Sequence, residues 1–91
     1  MYYLNDEMWD ELEFLEEKLD IDFNLPKDGA MPENNEIRGS GPDGEVVTYI
    51  ATPGRFKRRP GKMVRNRTWL EINGQKYRVS DVIHALTFPG D

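Results

Sequence analysis

The sequence predicts an α+β fold, with an N-terminal amphipathic helix, a long loop, about three antiparallel strands and a short C-terminal helix. Apolar residues recur at helical spacing in residues 4–19, whereas β-branched and aromatic residues form short runs in the second half of the chain. An Asn-Gly pair between two of these runs is a strong hairpin signal. Helices and strands that occupy separate parts of a chain are typical of the α+β class.

The first helix is predicted from Asp6 to about Asp20, because no Gly or Pro interrupts a segment rich in Glu and Leu. Asn5 is the predicted N-cap, since its side chain can accept a hydrogen bond from a free amide of the first turn. The apolar residues are spaced by three and four positions, which places them on one helix face that we expect to pack on the sheet. This stripe comprises Leu4, Met8, Leu12, Leu15 and Leu19.

The chain length predicts one domain over residues 1–91. We divide it into an acidic helix (1–24), an irregular loop (25–44) and a sheet with a short helix (45–91). Pro, Gly, Asn and Asp are dense in the middle section, which is typical of an irregular connection between elements. A loop of this length is unusual in a small domain, so we expect it to be mobile or functional.

Strand and turn signals follow one another in the final section. β-branched and aromatic residues predict strands, and the Asn73-Gly74 pair predicts a type I′ turn, because both central residues of that turn need positive φ. A cap-like Ser80 precedes a helical apolar pattern that Pro89 ends. The predicted elements are a strand over 45–52, hairpin strands over 68–74 and 75–80, and a helix over 80–88.

Composition excludes several classes of protein. The chain has no cysteine and one histidine, which rules out disulfides, cysteine-ligated zinc and histidine metal clusters. No apolar run approaches the ~20 residues that a membrane span requires, and the acidic start is not typical of a signal peptide. Ser80 and His84 lie one helical turn apart without an identifiable oxyanion hole, so we interpret His84 as a packing or surface residue. We expect a cytoplasmic protein that is not an enzyme, with no catalytic residue, cofactor, metal or membrane partner.

The charges are divided unevenly along a chain whose net charge is −5. Residues 1–36 hold twelve acids and two lysines, whereas residues 37–91 hold ten Lys or Arg and five acids. Seven of those cations lie in residues 52–67, with no acid among them. Cations in a loop that links two strands, beside an exposed strand face, favour binding to phosphates. The predicted DNA-binding residues are Arg55, Lys57, Arg58, Arg59, Lys62, Arg65, Arg67, Trp69, Lys76 and Arg78.

A structural role explains the same cations without DNA. Lys and Arg beside an edge strand protect the sheet from pairing with another chain and keep the protein in solution. The same cations can also pair with the acids of the first helix. The charge pattern fits both this interpretation and DNA binding.

The segment "GEVVTY…PGRFKRRPGKMV…TWLEINGQKYRVSDVIHAL" combines a strand, an Arg/Lys-rich loop, a hairpin ending in I-x-G-x-x-Y and a helix. This pattern, over about residues 44–90, resembles the region that precedes the catalytic box in phage HNH endonucleases. A similar arrangement of three strands and a helix occurs in the DNA-binding domain of plant ethylene-response factors, whose sheet lies in the major groove. The resemblance implies a module that binds DNA through its sheet. Its matching residues are Arg58, Arg59, Pro60, Gly61, Ile72, Gly74, Tyr77, Val82 and Leu86.

Two departures from the family pattern limit what the resemblance implies. The sequence ends where the HNH catalytic box would begin, and one histidine cannot form the metal site of that box. Family members often carry His-Arg at the start of the helix, where this chain has Ser80 and Asp81, and an acid there weakens contact with phosphate. We therefore expect a small, phage-like DNA-binding protein without nuclease activity, in the host cell cytoplasm if it is phage-encoded.

The acidic helix has no counterpart in that pattern and supports a second hypothesis. A row of carboxylates can mimic the charge of a nucleic acid, as in an inhibitor that binds a host protein at a basic cleft. Two further alternatives are that the helix covers the basic surface of its own chain, or that its acids simply face water. Under the inhibitor hypothesis, the partner-binding residues are Asp10, Glu13, Glu16, Glu17 and Asp20.

Overall fold

The computed structural model describes residues 3–52, 67–88 and 90. Two helices and five strands occur in these residues, which confirms the predicted α+β class but exceeds the predicted number of strands. In chain order, the elements are α1 (Asp6–Leu19), β1 (Asp22–Phe23), β2 (Glu36–Ser40), β3 (Val46–Thr52), β4 (Arg67–Ile72), β5 (Gln75–Arg78) and α2 (Val79–Thr87).

The five strands form one sheet in the order β1-β2-β3-β4-β5, and every pair of neighbours is antiparallel. Tyr49 of β3 lies at the centre, opposite Ile37 of β2 and Leu70 of β4. Residues opposite each other in a sheet point to the same face, and all three of these side chains are buried. The register therefore builds one apolar layer across the three central strands.

The N-terminal helix begins and packs as the sequence predicts. The Asn5 side chain accepts a hydrogen bond from the Met8 amide at 2.9 Å, which confirms Asn5 as the N-cap. Leu12 and Leu15 are fully buried in the core, and Leu19 is half-buried at the end of the stripe. Because the apolar stripe meets the sheet, most of the acids of α1 face outward.

The section predicted as an irregular loop, residues 25–44, contains a strand. β2 takes up five of its residues, and the two-residue strand β1 precedes it. The loop prediction was wrong because β2 buries one apolar side chain, Ile37, among polar residues and a glycine. That composition resembles a turn, and pairing with β3 along its whole length is what makes the segment a strand.

Gly39 lies against the backbone of β1. A Cβ atom at this position would lie 2.6 Å from the Asp22 carbonyl oxygen and 2.8 Å from the Phe23 Cα. We expect Gly39→Ala to lower the free energy of unfolding by about 1–3 kcal/mol, because backbone atoms must shift to admit the methyl group. Chemical denaturation measures the change, and Ser40→Ala is the control because Ser40 is exposed on the same strand. Equal stability of the two variants would contradict the close packing of β1 on β2.

The hairpin turn forms as predicted, whereas the second helix begins one residue early. Asn73 and Gly74 have φ values of 50° and 84°, as a type I′ turn requires. The N-cap of α2 is Arg78, whose side chain forms no capping hydrogen bond, so Ser80 is not the cap. Val79, the first helical residue, is fully buried. Burial of Val79 in the core, rather than a side-chain cap, therefore fixes where α2 begins.

The sheet has a covered face and a face that we call the open face. Both helices contribute apolar residues to one core cluster with Tyr49 and Leu70, so they pack on the covered face. The open face is the opposite side of the sheet, with Thr48, Ile50 and Trp69 at its centre. None of its side chains is buried in the described strands. In the described part of the chain, this face is therefore accessible to a partner.

Candidate nucleic-acid interface

The β4–β5 hairpin places the described DNA-binding candidates side by side. Trp69 lies opposite Arg78, and Glu71 lies opposite Lys76 at the next position on the same face. Arg67 lies two residues before Trp69 on the same strand, and residues two apart point to the same face. The structure therefore brings four predicted residues, Arg67, Trp69, Lys76 and Arg78, together on the open face.

Two cations lie over the indole ring of Trp69. The Lys76 Nζ is 4.8 Å from the ring centroid, and the Arg78 Cζ is 5.7 Å from it. Each contact of this kind contributes about 0.5–1 kcal/mol at an exposed site. The indole therefore holds both charged groups at the surface of the sheet, where a ring and fixed cations can contact a base and its neighbouring phosphates.

The positive charge of the open face is concentrated on β4 and β5. On β2, the Arg38 guanidinium lies 4.0 Å from the Glu36 carboxylate, and this ion pair neutralises that side of the sheet. The three cations of β4 and β5 form no ion pair with any described residue, and these two strands contain one acid, Glu71. The hairpin is therefore the part of the described sheet that attracts anions most strongly.

Two residues of β3 that were not predicted from the sequence complete the open face. Ile50 lies opposite Trp69, and Thr48 lies opposite Glu71. Ile50 and Trp69 are both half-buried and form an apolar patch beside the hairpin cations. The alternation of residues in the predicted strand 45–52 was the available signal, but it does not reveal which strand pairs with β4.

Six of the predicted DNA-binding residues lie outside the described residues, so their contacts with DNA stay a prediction. They belong to the segment between β3 and β4, whose flanking residues Thr52 and Arg67 lie opposite each other. The Thr52 hydroxyl donates a hydrogen bond to the Arg67 carbonyl oxygen at 3.1 Å. The six DNA-binding candidates are Arg55, Lys57, Arg58, Arg59, Lys62 and Arg65.

Pro89, the predicted end of the second helix, also lies outside the described residues.

The predicted partner-binding acids lie on the helical side of the sheet. Because α1 packs on the covered face, it does not mask the hairpin cations, and the masking hypothesis is wrong for these described residues. Glu16 accepts a hydrogen bond from the Phe23 amide at 3.2 Å and so links α1 to β1. Partner binding through the other acids stays a prediction. These exposed acids are Asp10, Glu13, Glu17 and Asp20.

Glu11 is a half-buried acid between α1 and the sheet that sequence analysis did not identify. Its carboxylate accepts hydrogen bonds from the Tyr49 hydroxyl at 2.7 Å and from the Thr68 hydroxyl at 3.0 Å. Burial raises the pKa of the Glu11 carboxyl above its ordinary value, and the two hydroxyl donors offset part of this effect. Burial also raises the pKa of the Tyr49 hydroxyl, and the negative charge of Glu11 is the second largest cause.

The raised pKa of Glu11 predicts a defined dependence of stability on pH. At pH values between the ordinary pKa of 4.5 and the raised pKa of the folded protein, the folded state binds more protons than the unfolded state. The free energy of unfolding therefore falls as the pH rises through this window. Gln at this position keeps an acceptor oxygen and does not titrate. We therefore expect Glu11→Gln to gain stability relative to the wild type as pH rises.

Chemical denaturation at a series of pH values, from about pH 4 to about pH 8, measures this difference. Glu13→Gln is the control, because it removes the same charge from an exposed position on the same helix. Glu11→Gln should gain more stability relative to the wild type across the series than this control does. A flat difference for Glu11→Gln would contradict the effect of burial on the Glu11 carboxyl.

No described helix is both long and apolar enough to cross a membrane. Within residues 3–52, 67–88 and 90, no three His, Asp or Glu side chains are grouped so that they could hold a metal ion. Comparison with family models, with curated proteins and with solved structures finds no match to the chain. The likeness to the DNA-binding region of phage HNH endonucleases therefore stays a prediction, and the geometry of the open face carries the functional argument.

Proposed function

We propose that the protein is a small, phage-like, non-enzymatic DNA-binding protein that contacts DNA in the cytoplasm through the open face of the β4–β5 hairpin. The observation that carries the proposal is the position of the Lys76 and Arg78 cations over the Trp69 ring, with Arg67 on the same face. Nucleic acids present the complementary groups, because phosphates attract cations and bases stack on aromatic rings.

The hairpin cations supply the electrostatic part of the proposed binding. A Lys or Arg that contacts a phosphate displaces condensed counterions from the DNA, and this release favours binding most strongly at low salt. The three cations form no ion pair with a described residue. They therefore break no internal ion pair among the described residues when they contact DNA.

The arginines of the hairpin suit duplex DNA. Sheet proteins can read DNA with strands in a groove, and in the major groove an Arg side chain can form two hydrogen bonds with guanine. Arg67 and Arg78 lie on the same face as the lysine and are exposed, so their guanidinium groups are accessible from solvent. Trp69 adds a surface on which an unpaired base can stack. A labelled duplex and one of its separated strands therefore serve together as probes.

Fluorescence anisotropy of a labelled random-sequence duplex, titrated at several salt concentrations, tests the proposal. We expect saturable binding that weakens as salt rises. Lys76→Ala combined with Arg78→Ala should flatten the plot of log K against log salt by about 0.9 for each phosphate that the variant no longer neutralises. The control is Lys18→Ala combined with Lys27→Ala, which removes the same charge from exposed positions outside the five strands.

Glu71 tests the sign of the electrostatic effect on the same face. Glu71→Gln removes the acid of the hairpin, and we expect about two- to fivefold tighter binding to DNA.

Equal weakening of DNA binding in the hairpin pair and the control pair would show that net charge, and not the open face, governs binding. Absence of binding at low salt would contradict the proposal altogether.

A further inference from the structure

A groove of about 610 Å³ lies between α1 and α2, on the helical side of the sheet. Its walls combine acidic and apolar side chains. Four residues of α1 line one side, and residues of α2 and its C-cap line the other. The lining residues used below are Glu7, Asp10, Glu11, Phe14, Ile83 and Phe88.

The groove contains a large apolar side chain that is mostly exposed to solvent. Phe88 is 61% exposed, and its ring lies 5.0 Å from the His84 ring instead of entering the core. Phe14 lies off the apolar stripe of α1 and is half-buried in the groove wall. An apolar surface rimmed by polar groups is typical of a site that binds another protein.

The acidic part of the groove lacks a positive partner among the described residues. Glu7 and Asp10 are exposed, Glu11 is half-buried, and none of the three forms an ion pair with a described residue. No Lys or Arg is among the described residues that line the groove. A cation beside a partly desolvated carboxylate is attracted more strongly than one in open water, so the groove favours a positively charged occupant.

We propose that the α1–α2 groove binds an amphipathic helix of a partner protein, with apolar residues along one face and Lys or Arg beside them. Helices of this kind bind grooves by inserting apolar residues spaced three or four positions apart. The Phe and Ile side chains receive those residues, and the acids contact the flanking cations. Like-charge repulsion excludes an acidic helix of the same shape. The groove shares no residue with the open face, so helix binding there is independent of DNA binding.

The probe for this proposal is a labelled synthetic helix-forming peptide with Leu at helical spacing and Lys at the other positions. We expect saturable binding by anisotropy, and no binding of the same peptide with Glu in place of Lys. Glu7→Gln combined with Asp10→Asn should weaken binding about tenfold. Glu13→Gln combined with Glu17→Gln removes the same charge from exposed positions of α1 outside the groove, and it should leave the affinity unchanged.

The apolar contact is tested by a second matched pair. Phe88→Ala should weaken peptide binding about tenfold, since the variant loses the apolar ring that the bound helix would cover. Val46→Ala is the control, because Val46 is 62% exposed, against 61% for Phe88, and lies on the open face. Circular dichroism confirms that each variant is folded.

Three results would overturn the proposal. The first is the absence of saturable binding of the Lys-containing peptide to the wild-type protein. The second is equal weakening in the groove pair and in the Glu13 and Glu17 pair, which would show that net charge alone attracts the peptide. The third is a dimer by light scattering that dissociates in the groove variants, which would show that a second copy of the chain occupies the groove.

Discussion

Replacing Trp69 with alanine is expected to weaken DNA binding about tenfold or more, because stacking of one base on an aromatic ring contributes about 1–3 kcal/mol. The substitution also removes the ring over which Lys76 and Arg78 lie, at 4.8 and 5.7 Å from its centroid. Both cations then regain side-chain freedom that they must lose again when they contact phosphates. Anisotropy titration of duplex and single-stranded probes measures the combined effect.

The other tryptophan provides the control for this prediction. Trp9 is half-buried on α1 and packs against the core, on the helical side of the sheet. We expect Trp9→Phe to leave DNA affinity unchanged, and Trp69→Phe to keep part of it because a smaller ring remains. Unchanged affinity in Trp69→Ala would contradict the role of the indole. The fold should survive, since Trp69 lies outside the core cluster and a cross-strand pair contributes about 0.2–1 kcal/mol.

Leu70→Ala is expected to lower the free energy of unfolding by about 2–5 kcal/mol. Leu70 is fully buried and lies opposite Tyr49 on one side and Tyr77 on the other. Truncation removes apolar surface from the core and leaves a cavity, because the backbone of a central strand cannot collapse to fill it. Urea denaturation measures the decrease in stability, and Leu70→Met is the control because it conserves volume and should cost less than about 1.5 kcal/mol.

Trp69 and Leu70 are adjacent in the chain, yet they are expected to behave in opposite ways. The side chain of Trp69 lies on the open face and that of Leu70 in the core, so one substitution should reduce binding and the other stability. Under conditions where Leu70→Ala remains folded, its DNA affinity should match that of the wild type. A folded Leu70→Ala protein that no longer binds DNA would contradict the assignment of binding to the open face.

Strong local signals explain which parts of the fold could be predicted from the sequence. The apolar stripe and the Asn5 cap define α1, and the Asn73-Gly74 turn defines the hairpin. β1 and β2 lack such signals, because one has two residues and the other buries Ile37 alone. Their strand conformation depends on pairing with a neighbour, which no pattern within the segment reveals.

The same distinction separates the predicted from the missed residues of the candidate site. Lys76 and Arg78 alternate with Tyr77, and that alternation with the hairpin signal places them beside Trp69. Ile50 joins the site because β3 pairs with β4 in one particular register. Glu11 resembles the other acids of its helix in sequence, and only the packing of α1 on the sheet brings it to Tyr49 and Thr68.

The two-sided sheet gives a physical reason for the uneven charge along the chain. The acids of α1 lie on the helical side, whereas the cations of β4 and β5 lie on the open face. The sheet and its apolar core therefore separate the two sets of charges, and salt screens them from each other over about 8–10 Å. An acidic protein can in this way present one face that attracts a polyanion.

Fluorescence of Trp69 during DNA titration tests the central claim most directly. The chain has two tryptophans, so Trp9→Phe leaves Trp69 as the sole indole, and Trp69→Phe leaves Trp9. If DNA binds the open face, emission from Trp69 should be quenched with the same midpoint as the anisotropy titration, while emission from Trp9 stays constant. Saturable DNA binding with unchanged Trp69 emission, or with a change in Trp9 emission alone, would contradict the assignment.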